Sequence, residues 1–260
     1  MAETPDPTSL AEFARRHDPD RFLCALFAPA GSREAIFTLI AFNHELARAR
    51  EAAREPMMVL IRLQWWRDAV EEAVAGKPAR RHEVAGPLSR AIGAGSLDPA
   101  ALLALIEARE ADETGEEAVP LLERLRGTAG GLAAATGRLL GAPDTSSEGL
   151  RQIGTAYGVA GTLRSLPALA AQGRDPLPEG EDPVRAGQAL ARKGLEVLES
   201  GRKLLASLPS RAVAAALPGV LARRDLQRVL RPDWQPGAPA APRGAGDRLA
   251  VTWAGLRGRA

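Results

Sequence analysis

Several residue groups in this 260-residue chain have the types that chemistry would need. Six carboxylates lie between Glu107 and Glu117: Glu107, Glu110, Asp112, Glu113, Glu116 and Glu117. Carboxylates are the hard ligands that divalent cations prefer. Gly115 interrupts the run at the end of a helical pattern, so it reads first as a solvated helix end. Glu51 and Glu55 stand at i, i+4, where two carboxylates would share a helix face. Glu55 precedes Pro56, which disfavours helical geometry there, and Arg48 is spaced to pair with Glu51. His17, His44 and His82 have no partner at metal-ligand spacing. Ser146 and Ser147 lack a nucleophile-elbow motif, and no glycine-rich phosphate loop is present. Cys24 is alone, which excludes an intrachain disulfide and a cysteine-based zinc cluster. Trp65 and Trp66 point about 100° apart on a helix, so the pair is divided between core and groove or interface.

These residues sit on helical periodicity throughout. Ser9 and Glu12 form a capping-box pattern, and Asp18-Pro19 opens a second helix. Ser32 is expected to cap a long helix to about Arg54, with Ile36, Leu39, Ile40 and Leu46 at apolar positions. Further helices are expected over 57–74, from Asp98-Pro99 to about 112, over 116–140, 148–166, 184–207 and 210–230. Residues 168–183 read as a loop. A Pro/Gly/Ala-rich linker follows Arg231, then a short tail with Leu249, Val251, Trp253 and Leu256. The expected division is a helical domain over 1–230 and a linker with tail over 231–260. No segment alternates as a strand does, and no internal repeat is present.

Composition narrows the function. The net charge is +2, although all but three of the 34 basic residues are arginine. So small an excess argues against nucleic-acid binding driven by counterion release. Glu3, Pro5, Asp6 and Pro7 stand where a signal peptide would carry basic and apolar residues, and no apolar run approaches a membrane span. The expectation is a cytoplasmic protein, with peripheral docking on the membrane as a further reading.

Two segments carry a resemblance. One runs from Phe22-Leu23 through Arg33-Glu34-Ala35-Ile36 and Ala41-Phe42-Asn43-His44-Glu45-Leu46-Ala47 to Glu51. The other runs from Tyr157-Gly158-Val159-Ala160-Gly161-Thr162-Leu163-Arg164-Ser165 to Gly173-Arg174-Asp175-Pro176-Leu177-Pro178. In order and spacing, over about residues 20–225, the chain resembles the squalene/phytoene synthase family. The resemblance implies an all-α, isoprenoid-synthase-like helical bundle around a central cavity. In that family two aspartate-rich motifs on facing helices hold Mg²⁺, which activates a prenyl diphosphate as a leaving group. Here the aspartate positions of the first motif fall on Ala47 and Arg48, with Glu51 at the last. Those of the second fall on Ser165 and Leu169. No Asp or Glu occurs between Glu148 and Asp175. The resemblance therefore implies the scaffold without its metal ligands: no catalytic residue, no metal and no cofactor.

Phe42-Asn43-x-Glu45-Leu46-Ala47 and Arg62-Leu63-Gln64-Trp65-Trp66-Arg67 resemble the family branch that contains a mitochondrial respiratory complex I assembly factor. That branch also lacks the aspartates. It implies a non-catalytic protein acting through protein contacts in assembly of the respiratory NADH dehydrogenase. Two alternatives stand beside it. One is a prenyltransferase using other ligands, with Mg²⁺. The other is a carrier of a prenyl lipid or quinone, holding an anionic head through Arg33, Arg164 or Arg174 near Tyr157. Candidate interface residues are Trp65, Trp66, Arg67 and Trp253, because Trp and Arg bury large areas while keeping a polar handle.

Overall fold

The computed structural model describes residues 7–51, 55–114, 120–178 and 180–258, without the side chains of 7–9, 51 and 112–114. Ser9, Glu51, Asp112, Glu113, Glu116 and Glu117 thus lie outside the described side chains. The described residues contain helices and no strand.

Asp18 caps the second helix by accepting from the Arg21 amide, and this separates α1 (Pro7–His17) from α2 (Pro19–Ala25). Then come α3 (Ala30–Glu51) and α4 (Pro56–Val74), the latter with proline in its first turn. The long third helix starts before Ser32, which lies inside it rather than capping it. Gly76 turns the chain out of α4 with φ +68°. A helix that the spacing did not predict follows, α5 (Ala85–Gly93), burying Leu88 and Ile92. Next comes α6 (Pro99–Thr114).

The single helix expected over 116–140 is interrupted. It consists of α7 (Leu121–Leu125), a π-helical turn over Arg126–Gly130, and α8 (Gly131–Leu139). The turn lets this stretch press against α9 (Ser147–Arg164), where a Cβ on Gly154 would overlap the Ala129 carbonyl. Proline does not end α9 as a loop. Pro167 occupies the first turn of α10 (Leu166–Ala171), a position where its missing N–H costs nothing. After α11 (Pro183–Lys203), the apolar stretch expected as one helix breaks at Pro218 into α12 (Val213–Ala216) and α13 (Pro218–Val229). The tail forms α14 (Ala245–Arg257), packed on α13 and α2.

The core has two halves. Leu39, Phe42 and Leu46 of α3 pack with Leu63 and Trp66 of α4, Leu88 of α5 and Ile106 of α6. Val159 and Leu163 of α9 pack with Ala191 of α11 and Leu226 of α13. α9 is surrounded by α8, α11 and α13, which is why its apolar residues occupy several faces instead of one stripe. α8 packs against both α3 and α9. Cys24 is buried between α2 and α12–α13, and burial pushes its thiol pKa up. No helix among the described residues is long and apolar enough to cross a membrane.

The linker is not loose. Trp234 lies against Gly187, and Arg243 pairs with both Asp20 and Asp225.

Candidate functional site

Ala47 and Arg50 are three apart on α3 and so share a face. Ser165 ends α9, and Leu169 lies one turn later on α10. All four line one pocket of about 490 Å³. Arg109 of α6, Arg124 of α7 and Arg174 in the loop after α10 complete its charged wall. Arg109 is held in place by Asn43 of α3, with Nη2 to Oδ1 at 2.9 Å. The only carboxylate among the described lining residues is Asp175.

Ala47 from the first motif thus meets Ser165 and Leu169 from the second in one pocket. Arg48 does not join them. Its neighbour direction on the helix carries it to Glu45, with Nη1 to Oε1 at 3.3 Å, and it is exposed. The basic residue of α3 in the pocket is Arg50, one face away. The Arg48–Glu51 pairing expected from spacing lies outside the described side chains, because that of Glu51 is not described.

A divalent cation needs several oxygen ligands converging at about 2.0–2.6 Å. Four guanidiniums and one described aspartate do not supply them, and no cluster of three metal-ligating side chains occurs among the described residues. The residues present do not fit the Mg²⁺ pair that the family fold implies.

Between α3 and α9, deeper in the bundle, lies an apolar cavity lined by Ile36, Ile40, Gly154, Tyr157, Ala214 and Ala215. Its volume is about 20 Å³, room for a single water. Ligand pockets run to several hundred Å³. The Arg21 guanidinium lies 4.6 Å from the Tyr157 ring centroid, and the Tyr157 hydroxyl donates to Asp20 at 3.2 Å. Burial, with Asp18 and Asp20 nearby, raises the Tyr157 pKa well above its ordinary value, so it stays a neutral donor.

The family fold is decided by this arrangement together with the chain's extent of match: residues 14–245 match the squalene/phytoene synthase family. The chain belongs to that family. Among curated relatives, the human protein named "NADH dehydrogenase (ubiquinone) complex I, assembly factor 6" is 31% identical over 160 residues, covering 60% of this chain and 48% of its own length. The rat protein of the same name is 32% identical with the same coverage. The chain therefore spans about half the length of these relatives. Among solved structures, squalene synthase HpnC from Alicyclobacillus acidocaldarius superposes with a TM-score of 0.71 at 19% identity, over 86% of this chain and 92% of that one. A dehydrosqualene synthase in complex with ligand gives 0.75 at 13% identity, over 96% and 95%. At such identities these establish the fold, the helical bundle of squalene/phytoene synthases.

Within this squalene/phytoene synthase fold, other candidate residues have structural occupations. Arg33 donates to the Ala28 and Leu26 carbonyls, and Arg164 to Asp225 and the Ala241 carbonyl. Of the candidate ligand arginines, Arg174 alone lines the 490 Å³ pocket. Trp66 is buried edge-on to Phe42, and Trp65 is half-buried beside Arg80 and His82. Arg67 is bound to Glu110 at 2.7 Å. Trp65 and Trp66 thus pack on Phe42, Arg80 and His82, and Arg67 ties α4 to α6, so the exposed interface candidates reduce to Trp253. Arg109 and Arg124 carried no local signal, because they reach the pocket from helices far from either motif. Nor did spacing reveal that the His17 and His44 rings lie 4.4 Å apart beside Phe13.

Proposed function

We propose that this protein acts in assembly of the respiratory NADH dehydrogenase through protein contacts and does not condense prenyl diphosphates. The observation that carries this reading is the pocket where both motifs meet: its described wall has four arginines and one aspartate in place of a carboxylate metal site. Without metals held there, nothing activates a diphosphate leaving group. The apolar cavity, with about 20 Å³, has no space for a prenyl chain. The relatives named for complex I assembly point to the partner class. The protein then works in the cytoplasm, at the membrane face where that complex matures.

A second reading, binding of an anionic prenyl lipid, has the arginine-walled pocket in its favour and the small apolar cavity against it. Deleting the gene tests both. Loss of assembled NADH:quinone oxidoreductase with unchanged isoprenoid pools is the expected result. Normal assembly with an altered isoprenoid profile would overturn the assembly reading.

A further inference from the structure

α14 carries its largest apolar side chains on the outside. Leu249, Trp253 and Leu256 are 68%, 59% and 75% exposed. At about 100° per residue they fall within roughly 60° of one another around the helix axis. Val251 and Asp247 occupy the opposite side, fully buried against the bundle. Arg248 and Arg257 flank the stripe, one on each side, both exposed. The Arg257 guanidinium lies 4.2 Å from the Trp253 ring centroid.

The charge of this face has one sign. The only carboxylate of α14 is Asp247, which is buried and neutralised by Arg224 and Arg228. Phe27, in the turn after α2, abuts Gly255, and Leu26 beside it is also exposed, its carbonyl held by Arg33. The surface is thus an apolar ridge with Trp at its centre and arginines at its margins.

We infer that this ridge docks the protein on an anionic lipid surface. Trp and Leu would enter the boundary between headgroups and acyl chains, while Arg248 and Arg257 reach lipid phosphates from either side. A second copy of the chain fits less well. Two such ridges would bring like charges together, and one ridge offers on the order of 400 Å² against about 800 Å² per partner in a stable protein interface. α14 begins at the last residue of the family match, so the family resemblance does not supply this surface. The inference is also independent of the assembly reading, because vesicles alone read it out.

The test is flotation of the full chain with vesicles of phosphatidylcholine, with and without about one third phosphatidylglycerol. The unaltered protein is expected to float with the anionic vesicles. Leu249→Ser/Trp253→Ser/Leu256→Ser should weaken binding at least about ten-fold. Arg248→Glu/Arg257→Glu should abolish the preference for anionic lipid. A brominated lipid should quench fluorescence in the unaltered chain and not in Trp253→Phe, a readout that tolerates any folding defect of the triple variant. No flotation of the unaltered protein, equal flotation of the triple variant, or a dimer in solution that the triple variant dissociates would each overturn the inference.

Discussion

Arg243 closes on Asp20 with Nη2 to Oδ2 at 2.6 Å, joining two residues 223 positions apart. Its Nη1 reaches Asp225 at 2.8 Å, so one guanidinium ties the linker to both α2 and α13. The Arg243 pKa is raised, because the two carboxylates outweigh the burial that opposes its charge.

Replacing Arg243 by Ala should destabilise the fold by about 2–4 kcal/mol, since it leaves buried Asp225 with one cation fewer. Asp225 keeps Arg164 and Arg228, which sets the lower end of that range. Arg243→Lys should recover only part, because an ammonium cannot bridge two carboxylates as the planar fork does. Urea denaturation measures both. Wild-type stability of Arg243→Ala would refute the tie.

Asp247 gives a pH dependence. Burial raises its pKa, but Arg224 and Arg228 more than offset this and hold it at about 2, against an ordinary 3.8. A carboxyl depressed on folding contributes stability that is complete above its unfolded value and is lost as pH falls through the folded value. The contribution is about 2 kcal/mol, lost between roughly pH 4 and pH 2. Asp247→Asn should flatten the stability profile in that window, read from unfolding midpoints at stepped pH.

Gly154 and Gly161 lie two turns apart on α9 and should respond oppositely to Ala. At Gly154 the new Cβ meets the Ala129 carbonyl and the Gly130 Cα, backbone that cannot yield without moving the π-helical turn. A loss of about 3 kcal/mol or more is expected. At Gly161 nothing lies within 4 Å, so Ala should stabilise by about 0.5–1 kcal/mol through helix propensity. Thermal unfolding of the two variants compares them directly.

Purified protein supplied with farnesyl or geranylgeranyl diphosphate and Mg²⁺ should form neither squalene nor phytoene. Placing aspartate at Ala47, Ser165 and Leu169 together should not restore activity. The four arginines remain in the pocket wall, and the apolar cavity stays at about 20 Å³. Product that depends on Mg²⁺ and disappears with chelator would overturn the non-catalytic reading.

The sequence by itself determined the helical class, most helix positions and the loss of carboxylates at the motif positions. These are local properties: apolar spacing, caps such as Asp18 and Asp98, and the residue types at 47, 165 and 169. Periodicity could not show where a continuous pattern breaks. The π-helical turn at Arg126–Gly130 lies where this stretch meets α9 at Gly154, a contact between distant segments that no local pattern encodes. Only the tertiary structure decided which arginines surround the degenerate site, since Arg109, Arg124 and Arg174 arrive from three separate segments while Arg48 turns away to Glu45. It also separated Trp66, which packs on Phe42, from Trp253, which α14 holds outward. An exposed and a buried tryptophan are the same letter. What distinguishes them is whether other helices cover that face, and this is settled by packing across the whole chain.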